Sequence, residues 1–92
     1  MTAAPIQFSI KQNYPNPSNP TTTITYIIPN RSHVTLSVYN TLGQRVVELV
    51  NGEKAAGAYD VTFDASGLVS GVYLYRMEAG SIVQTKKLVV VK

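Results

Sequence analysis

Few side chains in this 92-residue chain suit acid–base chemistry: one histidine, His33, and five acids, Glu48, Glu53, Asp60, Asp64 and Glu78. A general base works only with a partner inside hydrogen-bond reach. His33 ends the turn-like stretch "PNRSH", Pro29 to His33, where nothing supplies such a partner, so it reads as a solvated loop histidine. Asp60 and Asp64 lie on or beside one expected strand, and Asp64 is placed to cap the following turn through its own side chain. Cysteine is absent, which removes thiol nucleophiles, thiolate metal sites and disulfides. No glycine-rich loop leads into a helix, and no cluster has metal-ligand spacing. These residues point to no catalytic centre, no metal and no cofactor. The triplet Asn30-Arg31-Ser32 matches a glycosylation sequon, which matters only in a eukaryotic secretory pathway.

The cationic residues form no denser pattern. The formal charge is +3, with Lys86, Lys87 and Lys92 near the C-terminus supplying much of it. A nucleic-acid module interleaves Lys and Arg more densely with aromatics, so no nucleic-acid partner is expected. Lysines there also suit the edge of a sheet. No apolar run approaches the roughly 20 residues needed to span a bilayer, so no transmembrane segment is expected. The start "MTAAPIQ" lacks the basic and apolar parts of a leader peptide. If the protein is exported, its leader lies elsewhere on a longer precursor.

The elements that must position these residues are strands. Val, Ile, Thr and Tyr are abundant, and period two runs through the chain. Ile6, Phe8 and Ile10 alternate with polar neighbours, and so do Val34, Leu36 and Val38, then Tyr59, Val61 and Phe63. Ile24, Tyr26 and Ile28 form another alternating set, as do Tyr73, Tyr75 and Met77. Turn signals separate the runs at Pro29–His33, Asn40–Gln44, Asn51–Gly57, Asp64–Gly71 and Glu78–Ser81. With "QRVVELV" and "IVQTKKLVVV" the count is seven short strands, an all-β, immunoglobulin-like antiparallel sandwich. Residues 1–92 are read as one domain, with residues 1–5 a linker or cloning remnant. The core is expected to include Leu36, Val38, Phe63, Tyr73, Leu88 and Val90.

Three local features refine this reading. "NYPNPSNPTTTITYIIP", Asn13 to Pro29, holds four prolines between strands with a clear inner face. It is expected to be an ordered crossover, where the chain leaves one sheet for the other. In the last strand, alternation that buries Leu88 and Val90 also sends Lys86 and Gln84 inward. A one-residue bulge near Thr85–Lys87 is expected to resolve this and bring Val83 to the core side. In "LVSGVYLYR", Leu68 to Arg76, the Leu, Gly and Tyr spacing is that of a tyrosine corner, with the Tyr73 hydroxyl bonding backbone a few residues upstream.

Taken together, "QNYPNPSNPTTTITYIIP", "VTLSVYNTLGQRVVELVNGEKAAGAYDVTFDASGLVSGVYLYRMEAG" and "TKKLVVVK" resemble the C-terminal sorting domain of the type IX secretion system. Bacteroidetes and their relatives append such domains to secreted enzymes and adhesins. The fold is also similar to the immunoglobulin-like part of the flagellar hook-capping protein. The resemblance implies a non-catalytic signal fused behind an N-terminal cargo, exported through the periplasm and then secreted or held at the cell surface. The implied partners are an outer-membrane translocon and a sortase-like peptidase. The recognition residues it implies are Asn16, Pro17, Gly71, Tyr73, Arg76, Lys86, Lys87 and Lys92. Members commonly carry Phe where this chain has Ser18, and often Trp where it has Phe63.

Two other functions compete with this one. A carbohydrate-binding module needs an exposed aromatic platform, and the chain has no Trp and only Tyr14 and Tyr39 as expected exposed tyrosines. A structural spacer needs no recognition surface at all. The last strand separates these readings from the first. Val89 and Val91 are expected to point outward beside a free backbone edge, with the lysines orienting a partner that pairs with it.

Overall fold

The computed structural model describes residues 7–18 and 20–92. The expected linker at residues 1–5, and Ile6 of the first strand, lie outside the described residues. The strands are β1 (Ser9–Ile10), β2 (Thr21–Ile28), β3 (Ser32–Tyr39), β4 (Arg45–Lys54), β5 (Gly57–Asp64), β6 (Gly71–Ala79) and β7 (Ile82–Val90). They form two antiparallel sheets, one in the order β1-β2-β5 and the other β4-β3-β6-β7. This is an all-β fold of the immunoglobulin-like sandwich type.

Alternation builds the core. In β2, Thr22, Ile24, Tyr26 and Ile28 are buried, while the residues between them are only half-covered. Val34, Leu36 and Val38 of β3 meet them, with Tyr73, Tyr75 and Met77 of β6 and Leu88 and Val90 of β7. Phe63 closes the β5 side, where Tyr59 and Val61 are half-buried. Tyr26 and Tyr59 are cross-strand partners with rings stacked at 5.1 Å. Each such pair adds to sheet stability beyond its share of burial. The β6–β7 hairpin turns on Gly80 and Ser81. Ala79 pairs with Ile82, and Gly80 takes φ +60°, the left-handed value that glycine tolerates best.

Four details differ from the sequence-based expectation. First, β4 continues through Asn51 and Gly52 to Lys54, so only Ala55 and Ala56 remain of the turn expected at Asn51–Gly57. The neighbouring β3 keeps pairing with β4 past Gly52, in one register from Leu36↔Val50 to Ser32↔Lys54, and the two register shifts of this ladder lie nearer Arg45. Second, His33 is therefore a strand residue, opposite Glu53, rather than part of a turn. Third, β1 and β2 are partners in one sheet. The proline segment leaves that sheet, touches the edge of the other, and returns to where it started.

Fourth, β7 has no bulge. Its register with β6 runs unbroken from Gly71↔Val90 to Ala79↔Ile82. Val83 is 47% exposed rather than on the core side. Lys86 stays on the inward parity opposite Tyr75, half-buried, and Gln84 is exposed. The physical reason is reach. β7 is the last strand of its sheet, and β1, which faces this flank, has only two residues. Among the described residues the first half of β7 is exposed, and a half-buried lysine there can cover its stem while its ammonium stays in water.

The Tyr73 ring is buried and its hydroxyl donates to Val69 O at 2.7 Å. This geometry sets two expectations for urea or thermal denaturation. Tyr73→Phe loses one hydrogen bond and is expected to cost about 0.5–1.5 kcal/mol. Tyr73→Ala also empties part of the core and is expected to cost about 3–5 kcal/mol. Equal melting of Tyr73→Ala and the parent would exclude a core role for this ring.

Candidate functional site

The proline segment and the last strand together make the most constructed surface of the molecule. Its anchor is Asn13, which is 2% exposed. The Asn13 amide nitrogen donates to the Tyr75 hydroxyl at 2.9 Å, and that hydroxyl donates to Lys11 O at 2.8 Å. The Asn13 side-chain amide donates to Thr22 Oγ1 at 2.9 Å and to Pro15 O at 3.2 Å, and its Oδ1 accepts from Gln12 Nε2 at 2.6 Å. Thr22 Oγ1 in turn donates to Pro15 O at 2.8 Å. Burial raises the Tyr75 pKa above the ordinary tyrosine value, against the opposing hydrogen bond from Asn13. The hydroxyl therefore remains a donor throughout the physiological range.

From this anchor the chain runs along the outer edge of β7. Tyr14 bridges back to Thr23 of β2, and the Tyr14–Pro15 and Asn16–Pro17 peptide bonds are cis. Asn16 Oδ1 accepts from Val89 N at 3.1 Å. Ser18 then bridges β7 in parallel: its N donates to Val89 O at 2.7 Å, and its O accepts from Val91 N at 3.0 Å. Its hydroxyl donates to Pro20 O. Gln12 Nε2 donates to Lys87 O at 2.7 Å. The backbone edge at Val89 and Val91, expected to be free, is thus covered by this strap. The two side chains do point away from the core, with Val89 half-buried and Val91 44% exposed.

The structure gathers some of the expected recognition residues and separates others. Asn16 and the exposed Pro17 lie on the strap against β7. Gly71 opposes Val90 and opens β6 with φ +156°, a conformation that side chains rarely adopt. Tyr73 opposes Leu88 inside the core. Arg76 opposes Thr85 on the outer face and pairs with Glu78 at 3.2 Å. Lys86 and Lys87 lie on β7 beside the strap. Lys92 is elsewhere: its N donates to Ser70 Oγ at 3.1 Å, and its Nζ to Ser66 O at 2.5 Å, on the β5–β6 loop. Gln12, Asn13, Thr22 and Tyr75 were not legible as organising residues. The one available signal was Thr22, a polar side chain on the inward parity of β2, which requires a buried partner.

The acid–base residues stay scattered. His33 Nε2 lies 2.9 Å from Asn51 Oδ1 on the exposed surface of β3 and β4. Asp64 Oδ1 accepts from Ser66 N at 2.9 Å and caps the loop. Hydrogen bonds from the Ser66 amide and then its hydroxyl, with a smaller contribution from Lys92, hold the Asp64 carboxyl below its ordinary pKa. Among the described residues, no three His, Asp or Glu side chains gather as a metal site requires. Tyr14 is 81% exposed but belongs to the strap on the first sheet, while Tyr39 is a half-buried residue of the second.

Residues 12–91 match the family model described as the secretion system C-terminal sorting domain. The chain belongs to this family, whose members are sorting signals for type IX secretion. No curated protein matches the chain.

Two measurements test the site's construction. Asn13→Ala strips partners from Gln12, Pro15 and Thr22 and is expected to cost about 1–3 kcal/mol. Exchange of the Ser18 and Val91 amides should accelerate in that variant more than exchange within the β3–β6 pair. Uniform acceleration would mean that Asn13 does not hold the strap. Asp64 should titrate below the ordinary aspartate value, followed by the Ser66 amide shift. Because its folded pKa is depressed, the loop contact is complete above the unfolded pKa of about 3.9. It is lost as pH falls through the lower folded value. Titration at the ordinary value would exclude the cap.

Proposed function

We propose that the strap and the second half of β7 form the surface by which an outer-membrane translocon takes up this domain together with a cargo fused N-terminal to it. The domain is a type IX sorting signal, and an attached cargo is destined for secretion or the cell surface. The finer route is passage through the periplasm, recognition at the translocon, and release or transfer of the cargo by a sortase-like peptidase. The domain contributes no catalytic step of its own. It presents a surface on which Asn16, Pro17, Lys86 and Lys87 meet, while Gly71 and Tyr73 hold β6 behind it and Arg76 adds charge on the outer face. Lys92 acts separately by fastening the C-terminal residues to the β5–β6 loop.

One observation carries this reading. A segment near the start of the domain is hydrogen-bonded to its last strand, through Asn16 and Ser18 to Val89 and Val91. A spacer would need only the buried Leu88 and Val90 from that strand. The lysines support the same reading, because the ion pairs among the described residues all use arginine. Lys86 and Lys87 are therefore left without an acidic partner.

The test is a passenger with an export leader, fused to this domain in a host that has the secretion system. Truncation at Leu88 is a poor probe, because Leu88 and Val90 are core residues. The double reversal Lys86→Glu and Lys87→Glu changes charge while leaving the core intact. The reversed passenger is expected to remain in the periplasm while the purified domain, whose Lys86 is half-buried and Lys87 exposed, keeps a cooperative melting transition. Unimpaired surface delivery of the reversed passenger would exclude recognition through these lysines.

A further inference from the structure

The strap covers only half of the β7 edge. Residues Val89 and Val91 direct their backbone groups away from β6, as their bonds to Asn16 and Ser18 show. In an unbroken antiparallel register the same direction recurs every second residue. The N–H and C=O groups of Val83 and Thr85, and the N–H of Lys87, therefore also face outward. Lys87 O is taken by Gln12, but these five groups have no partner among the described residues. Among the described residues this stretch has no proline, no bulge and no covering loop, and Lys86 and Lys87 alone guard the edge while leaving its backbone groups free. The β4 edge, by contrast, carries two register shifts.

We infer that the open half-edge of β7, Val83 to Lys87, accepts an extended acidic segment of a partner protein as an additional strand. The inference rests on the sorting reading and specifies how that partner is held. Main-chain bonds to Val83, Thr85 and Lys87 supply the docking geometry, as in other strand-addition complexes. Charge supplies the choice of partner. Lys86 and Lys87 are on this half-edge, and Lys11 flanks it, next to Gln12. The one acid on the adjoining outer face, Glu78, is already engaged by Arg76 and Thr35. Apolar positions of the segment find Val83 beside the ladder, 47% exposed, and Leu74 across from Lys87, 37% exposed. A lipid surface would use the same lysines but not the row of backbone groups.

The substitution Thr85→Pro tests the ladder from the protein side. The Thr85 N–H faces away from β6, so proline removes a docking donor without removing a bond to β6. The probe is a short capped peptide of alternating glutamate and valine, titrated into the labelled domain at low salt. The expected result is slowed exchange at the Val83, Thr85 and Lys87 amides. Binding should weaken at least about tenfold in Thr85→Pro, a change of roughly 1.4 kcal/mol. A peptide N-methylated on its ladder-forming amides, and a lysine–valine peptide, should weaken to a similar degree with the parent domain. The N-methylated peptide keeps the test decisive if Thr85→Pro does not fold. Three outcomes would overturn the inference: protection of those amides in the free domain, equal binding of the N-methylated peptide, or binding to anionic phosphatidylglycerol vesicles in place of the peptide. In the secretion host, deletion of the whole domain separates the two readings. If deletion leaves export unchanged, the sorting reading fails. If deletion blocks export but a folded Thr85→Pro domain exports normally, only the strand-addition inference fails.

Discussion

The structure around the strap depends on one buried amide. Asn13 sits at 2% exposure, and a buried polar group without partners costs on the order of 1–3 kcal/mol. Its contacts leave no such debt. Backbone N, side-chain N and side-chain O all find partners, and among the described residues no buried side-chain polar atom lacks one. Those partners come from three places: the strap itself, Thr22 at the start of β2, and Tyr75 in the middle of β6. Satisfying Asn13 thus fixes where the strap begins relative to both sheets. The prolines limit the path from there, and Ser18 arrives at the β7 edge within hydrogen-bond reach of Val89 and Val91.

The sandwich treats its exposed edges unequally. β4 is long, but its two register shifts, and the pairing of Arg45 with Glu48 at 3.0 Å and Arg31 with Glu53 at 3.4 Å, make it a poor template for another strand. β1 is too short to offer one. β7 has a covered half and an open half, and the boundary lies at Lys87, whose C=O is bonded and whose N–H is not. The covered half also carries the inward Leu88 and Val90, so core packing and edge closure reinforce each other there. In the open half the inward positions are Gln84 and Lys86, and burial contributes little. Local stability should therefore fall along a single strand, from its C-terminal end toward the hairpin at Gly80.

Much of the fold was legible because period two reports which face of a strand is apolar. Ile24, Tyr26 and Ile28, Val34, Leu36 and Val38, and Tyr73, Tyr75 and Met77 all face the core. The same rule says nothing about how far the opposite sheet extends. That is why strict alternation at Lys86 calls for a bulge that the structure does not have: the position is only half-buried. Turn chemistry misled at Asn51-Gly52, a strong hairpin dipeptide in isolation, because β3 continues to offer it a partner. The prolines marked an ordered segment but not its destination. Its contacts with Tyr75 and Val89 are 62 and 73 residues distant in sequence, and no local pattern encodes a pairing at that range.

That separation also bears on what a sorting signal of this construction can report. The strap has no docking site until β7 is in place, and the two meet across 73 residues of sequence. Contacts between such distant segments form only after a large loop-closure cost has been met by the rest of the core. The surface that joins Asn16, Ser18, Val89 and Val91 is therefore a property of the folded domain and of no shorter stretch of it. An unfolded chain would carry every one of the same residues and present none of them together. A receptor that reads the joined surface reads folding as well as sequence, whereas one that reads only the lysines or only the prolines would accept either state.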